Sequence, residues 1–263
     1  MQNQQPSTLK EIRVHGTQDF PCAFYQTGTR IRGNMVKHHW HEEVELLYFS
    51  GGEFCLEINM ERFEISEECF YFINPGELHS ISVEKNGGCV ENAVVFHMDM
   101  LSSAYALDQI QTNLIQPVQN GSIQFPRCLR KNEPAFEPVR KSYEEIRNVF
   151  GGDSFRENYY DGEAVTDDIT RQLFIKSALL RILAVLSANN LFEVTEKNHD
   201  HRIETIKTTL TYIQKNYKEK IYIRDLAGLI GMNEQYFCRF FKKVIGRSPM
   251  EYVNEYRIKK AIH

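Results

Sequence analysis

The chain has 263 residues, long enough for two domains, and its 42% hydrophobic content can fill two modest cores. Its formal net charge of -4 is unevenly placed: residues 200–263 hold 13 Lys and Arg against 7 Asp and Glu, leaving 18 against 28 before them. A basic end on an acidic body points to a polyanion met by the end alone, and with no long apolar run nothing is expected to span a membrane.

The six cysteines, Cys22, Cys55, Cys69, Cys89, Cys128 and Cys238, show no paired spacing, and no signal-peptide pattern is present. They read as reduced core thiols of a cytoplasmic protein. The first 16 residues open with MQNQQPST, a polar arm. From Phe20 to about Met100 short runs of Val, Ile, Phe and Tyr alternate with Gly-Gly, Asn-Met-Glu and Asn-Pro-Gly turn signals, the pattern of a sandwich or small barrel.

The run His38–Phe49 is expected as one strand. Alternation along it puts His39, His41, Glu43, Glu45 and Leu47 on one face and Trp40, Glu42, Val44, Leu46 and Tyr48 on the other. Both faces carry apolar groups, so both are expected to be covered, one of them by a lumen. A second cue is FYFINPGELH, Phe70 to His79, where a strand turns at Asn74-Pro75-Gly76 and returns a histidine.

These two stretches resemble the cupin motifs. Gly33, His39-x-His41, Glu45 and Gly52 fit the first motif at every named position. In the second, Gly76 and His79 fit, whereas Asn74 stands in place of a proline, Glu68 in place of the opening glycine and Val83 in place of the closing asparagine. The resemblance implies a cupin-like barrel and a ligand site at His39, His41, Glu43, Glu45 and His79. No cofactor is required, but His39, His41, Glu45 and His79 form a donor set suited to divalent iron, manganese, nickel or zinc. The alternatives for the same residues are a hydrogen-bonded lumen wall or a surface for a small polar molecule, a sugar by fold analogy.

Past Pro134 the periodicity becomes helical. Val139, Tyr143, Ile146, Val149 and Phe150 give one amphipathic helix, ended by Gly151-Gly152-Asp153. A longer helix is expected from about Thr166 to Ala188. Its apolar stripe is wider than one barrel face needs, and the surplus suits a second copy of the chain. Glu193–His201 reads as a linker.

Ile206, Leu210 and Ile213 then face inward from a bracing helix, Ile203–Tyr217. Ile223, Leu226, Ala227 and Ile230 mark a short helix, Gly231 a sharp turn, and Asn233 the cap of a second helix with Phe237, Phe240, Phe241 and Val244 inward. Lys242 and Lys243 lie in its last turn and Gly246 can end it. Ser248-Pro249-Met250-Glu251 is a capping box opening a further helix.

This second region resembles the first DNA-binding subdomain of AraC-type transcription regulators, through Leu226, Ala227, Gly231, Met232, Asn233, Tyr236, Phe237, Arg239, Phe241, Lys242, Gly246, Ser248, Pro249, Tyr252 and Arg257. The resemblance implies a helix-turn-helix that reads promoter DNA in the major groove. Asn233 caps the reading helix, Gln235, Cys238 and Arg239 face base edges, and Lys242, Lys243 and Arg247 meet phosphates. It also implies a homodimer, a small-molecule effector and RNA polymerase as partners. The sequence holds the first of the family's two helix-turn-helix units and ends in the connecting helix.

The expected fold class is therefore α+β in two domains. Residues 1–130 form the barrel with its arm, 131–192 a helical dimerisation layer, 193–202 a linker and 203–263 the DNA-binding subdomain. A ligand-responsive regulator, not an enzyme, accounts for all of it. The competing reading is a metal-dependent cupin enzyme with an unrelated helical end.

Overall fold

The computed structural model describes residues 10–11, 13–29, 33–83, 89–105, 108–151, 168–195, 201–245 and 247–261. They fall into two compact units. One comprises residues 13–37 and 41–197; the other gathers His38–Trp40 and the preceding Lys10 and Glu11 with the C-terminal helices.

The first unit is built on two facing sheets. Strands β1 (Cys22–Thr29), β8 (Cys89–Phe96), β3 (Val44–Phe49), β6 (Cys69–Ile73) and β10 (Cys128–Arg130) make one, in the order β1-β8-β3-β6-β10. The other has the order β2-β7-β4-β5, from β2 (Gly33–His39), β7 (His79–Val83), β4 (Phe54–Ile58) and β5 (Glu61–Ile65). Leu47, Phe49, Tyr71, Ala93 and Val95 of the first sheet meet Phe54, Leu56, Ile58, Ile81 and Val83 of the second in the lumen core. On the other side of β3, Val44, Leu46 and Tyr48 lie under a helical layer. Every residue of β3 is buried, as a strand covered on both faces requires.

That layer consists of α2 (Phe136–Val149) and α3 (Ile169–Ala188), preceded by the single turn α1 (Gln116–Gln119). Val139, Tyr143 and Ile146 of α2 are fully buried, as their spacing predicts. α3 begins at Ile169 instead of Thr166, because the Asp168 carboxylate caps it by accepting from the backbone N–H groups of Thr170 (2.9 Å) and Arg171 (3.2 Å). Thr166 itself, like Gly152 and Asp153, lies outside the described residues.

Two expectations change. The single strand expected over His38–Phe49 is two: β2 ends at His39 and β3 starts at Val44. The two strands belong to different sheets, so the chain must cross between them, and residues 40–43 form that corner. The expected linker also starts late: β11 (Glu193–Val194) pairs with β9 (Ile123–Gln124), and the Thr195 hydroxyl donates to the Gly121 carbonyl. Residues 196–200 are outside the described set.

The second unit carries α4 (His201–Asn216), α5 (Ile223–Leu229), α6 (Glu234–Ile245) and α7 (Pro249–Ala261). Ile206, Leu210, Ile213, Leu226, Ala227, Phe237, Phe241, Tyr252 and Val253 are buried in its core. Arg257 donates to the carbonyls of Tyr217 (2.8 Å) and Glu219 (2.6 Å), tying α7 to the chain just past α4. α7 opens on the expected capping box, with the Ser248 N–H donating to Glu251 (2.7 Å) and the Glu251 N–H to the Ser248 hydroxyl (3.3 Å).

The α5–α6 turn depends on Gly231, which sits at φ +63 with open space where a Cβ would project. Gly228, inside α5, has the same open space and an ordinary helical backbone. The two glycines should therefore respond oppositely to alanine. Gly231→Ala is expected to destabilise by about 1–2 kcal/mol through left-handed strain alone, whereas Gly228→Ala stabilises by about 0.5–1 kcal/mol. Urea denaturation of both variants checks the pair; equal shifts of one sign would refute the backbone account.

Candidate functional site

At the corner between the sheets the chain turns His41 into the lumen, where it is 3% exposed. Its ring Nδ1 donates to the Glu43 carbonyl (3.1 Å), and its Nε2 lies 3.3 Å from Glu45 Oε2. Glu45 is the second residue of β3 and points the same way as Leu47. From the opposite sheet, His79 at the start of β7 brings its Nε2 to 2.9 Å from the same Glu45 oxygen, while its Nδ1 donates to the Glu77 carbonyl (2.9 Å).

Two of the expected lumen residues thus converge on a carboxylate oxygen of a third. Glu43 stays at the corner, its carboxylate 3.6 Å from His41 Nδ1. His39 closes β2 and belongs to the second unit, where its Nε2 lies 3.3 Å from the Glu11 carboxylate.

The hairpin that delivers His79 is fixed by buried charge. Glu77 is 6% exposed and receives two bonds from Arg127, at 2.6 and 2.7 Å, and one from the Asn74 backbone N–H at 2.8 Å. Such a bidentate pair is short, directional and strongly favoured over a point contact. Asn74, the departure from the cupin pattern, has its own task here: its side-chain oxygen accepts from the Phe125 N–H (2.8 Å). The Gly76 N–H donates to the His41 carbonyl (2.7 Å), so the turn and the corner are bonded directly.

Burial opposes the charge on Glu45, but hydrogen bonds and charge from His41 and His79 outweigh it and hold the carboxyl well below its usual range. Each ring spends its Nδ1 proton on a carbonyl, so each Nε2 turned to Glu45 needs a proton of its own or a shared cation to avoid setting acceptor against acceptor.

Single residues that carry no pattern in the sequence complete the lumen. His15 sets its Nδ1 2.9 Å from the Tyr25 hydroxyl, and its ring stands edge-on to His41 with centroids 5.2 Å apart. Glu91 shares the lumen parity of Ala93 and Val95 on β8 and is 2% exposed. Burial, with the nearby Glu45 charge, pushes its carboxyl well above the usual carboxylate range.

On α6 the Asn233 side-chain oxygen accepts from the Gln235 N–H (2.9 Å), the cap expected there. Phe237 and Phe241 are fully buried; Phe240 is half-buried, with its ring parallel to that of exposed Tyr236. Gln235 and Arg239 are exposed on the outer face, Cys238 half-exposed between them. Arg239 forms no ion pair among the described residues. Lys242 and Arg247 are exposed at the far end, and the Lys243 side chain lies outside the described residues.

On α3 the buried face holds Ile175, Leu179, Ile182, Leu183 and Leu186, while Ile169, Leu173, Phe174 and Leu180 are 72%, 61%, 56% and 41% exposed. Large apolar side chains on one element at such exposure exceed the scattered background of a monomer's surface.

Two family sequence models match in tandem. The AraC-like ligand binding domain matches residues 24–147, and the bacterial regulatory helix-turn-helix proteins of the AraC family match residues 213–254. An uncharacterised HTH-type transcriptional regulator of Bacillus subtilis, YdeC, is 27% identical over 262 residues, covering 97% of this chain and 81% of its own length. The HTH-type transcriptional activator RhaS of Citrobacter koseri is 23% identical over 234 residues, covering 89% of this chain and 75% of its own. Among solved structures, an apo variant of ToxT from Vibrio cholerae is 11% identical, with a TM-score of 0.43 over 94% of this chain and 83% of that one.

Proposed function

We propose that this chain, which belongs to the AraC family of DNA-binding transcription regulators, reads promoter DNA with the outer face of α6 and takes its cue from a small polar ligand in the barrel. One observation supports the DNA part above others: α6 has Phe237 and Phe241 packed behind it and leaves Gln235 and Arg239 outward, one helical turn apart. A metal-dependent cupin enzyme leaves the helix-turn-helix without a task. Thiols without a pairing pattern and a DNA target support a cytoplasmic location; no helix among the described residues is long and apolar enough to cross a membrane.

Arg239 presents the fork that fits guanine O6 and N7, and Gln235 the amide that fits adenine N6 and N7. Lys242 and Arg247 lie where the helix leaves the groove and meet phosphate. Arg239→Ala is expected to cost roughly 1–3 kcal/mol on the cognate site and to relax preference at one base pair. Lys242→Ala should weaken all sequences alike and lower the salt slope by about one. Binding titrations across salt concentrations decide this, and an Arg239→Ala loss equal on every sequence would overturn the base-reading role.

In the lumen, the Nδ1–H donations of His41 and His79 to carbonyls direct both Nε2 atoms at the Glu45 oxygen, the orientation in which proteins hold imidazole ligands. These donors, all within 4.8 Å of one another, fit a divalent cation. The cation would give the lumen a Lewis-acidic anchor for ligand oxygens. Protein purified without chelator is expected to carry a transition metal, and His41→Ala to lose both the metal and the stabilisation that added divalent ions give the wild type. Elemental analysis showing metal-free wild type, with a melting temperature unmoved by zinc, manganese, nickel or ferrous ions, would remove the cation from the reading.

The exposed side of α3 is read as the homodimer face, since Ile169, Leu173 and Leu180 form one stripe of it. The chain is expected to sediment as a dimer at about 20 µM and Leu173→Glu with Leu180→Glu as a monomer. A wild-type monomer at that concentration would exclude the face as a stable interface.

A further inference from the structure

The outer face of the five-stranded sheet is apolar under α2 and α3 except for one row. Gln26 pairs with Asn92 across β1 and β8, and Asn92 pairs with Tyr48 across β8 and β3, so these polar side chains stand side by side on three adjacent strands. Facing them from α2 are Tyr143, Glu144 and Arg147, and Ser50 lies at the mouth. Between row and helix is a cavity of about 290 Å³, near the lower end of the range for small-molecule pockets.

Its chemistry is unusual for a seam between sheet and helix. Gln26 donates to the Asn92 side-chain oxygen (2.9 Å), and neither amide makes a further side-chain hydrogen bond among the described residues, leaving the Gln26 oxygen as an acceptor and the Asn92 nitrogen as a donor. The Tyr143 hydroxyl is fully buried and has no hydrogen-bond partner among the described residues. A buried polar group left so calls for a bound partner. Burial keeps this phenol protonated, so it can both give and accept a bond. Arg147 is paired with Glu144 at 3.1 Å, so the charges of the lining cancel.

We propose that this cavity is a binding site, distinct from the lumen, for a neutral hydroxyl-rich molecule of about monosaccharide size. The paired amides, the unpartnered Tyr143 hydroxyl and the Ser50 hydroxyl offer donors and acceptors that a run of hydroxyls satisfies, while the Tyr48 hydroxyl is already given to Glu68 (2.6 Å). An anion finds no surplus cation here, and an apolar ligand would leave the Tyr143 hydroxyl and the uncommitted ends of the amide pair without partners. The Tyr48 and Tyr143 rings, 4.9 Å apart between centroids, give the ligand's C–H faces an apolar wall. The site does not depend on the lumen reading, because no lumen residue lines it.

The test is thermal shift of the full chain with aldopentoses, aldohexoses and their alditols, each at about 10 mM, where exclusion from the protein surface is small and equal among stereoisomers. At least one member should raise the melting temperature by several degrees while its epimers do not. Tyr143→Phe removes only the unpartnered oxygen, so it should leave the ligand-free melting temperature equal or higher yet abolish the shift. Gln26→Leu, on the opposite wall, should also abolish it, and His41→Ala in the lumen should keep it. The proposal fails if no member of the panel shifts the wild type. It fails equally if the shift survives both Tyr143→Phe and Gln26→Leu but is lost in His41→Ala, or if zwitterionic amino acids stabilise the chain and polyols do not.

Discussion

The barrel is arranged around the burial of one carboxylate. Removing Glu45 from water is far more costly than any single packing contact is favourable, unless the charge is matched and its oxygens bonded. Two imidazoles, one from the corner between the sheets and one from the sheet opposite Glu45, meet that demand, and each must be oriented in turn. His41 is held by the corner that carries the chain between sheets; His79 is held by a hairpin locked through Glu77 and Arg127. The bond from the Gly76 N–H to the His41 carbonyl closes the circuit. Corner, turn and ion pair follow as supports for one buried charge.

β3 carries this constraint to the helical layer. Glu45 and Leu47 face the lumen, whereas Leu46 and Tyr48, one residue along, pack beneath α2. A strand buried on both faces cannot tilt for one neighbour without disturbing the other, because packed interiors leave little free volume. Tyr48 moreover donates to Glu68 (2.6 Å), which also accepts from Lys131 (2.6 Å), so the outer end of that strand is tied down as well. A ligand in the proposed lumen site would therefore act on the same strand that supports α2, and α2 packs on α3, whose far side carries the exposed apolar residues.

What could be read from the sequence follows from how local the determining physics is. Caps, glycine turns and 3.6-residue stripes act within a few residues, and α2 and α4–α7 stand close to where those signals put them. Parity also works: β3 turns Glu45 and Leu47 one way and Val44 and Leu46 the other, as alternation requires. Parity cannot show where a strand stops, because His41 keeps the same facing whether it extends the strand or turns a corner. Only the pairing of β2 and β3 with different sheets reveals the break. His15, Tyr25 and Glu91 were invisible for a different reason. Each is a lone polar residue whose meaning comes from partners far along the chain, although the shared parity of Glu91 with Ala93 and Val95 was a usable hint. Arg127 reaches Glu77 across 50 positions, and β11 reaches β9 across about 70, with nothing in either stretch to announce the partner.

The reading helix shows the opposite economy. Its position is set from behind, by Phe237 and Phe241 in the core and by the Asn233 cap, none of which needs the outward side chains. Gln235 and Arg239 therefore contribute little to holding α6 in place, and Arg239 has no ion pair among the described residues to break before the base contact proposed for it. A guanidinium already committed to a carboxylate would forfeit that interaction on binding, and the loss would offset much of what a bidentate base contact returns. On the proposed base-reading role, separating the face that folds from the face that would read leaves the outer residues to be set by the DNA alone.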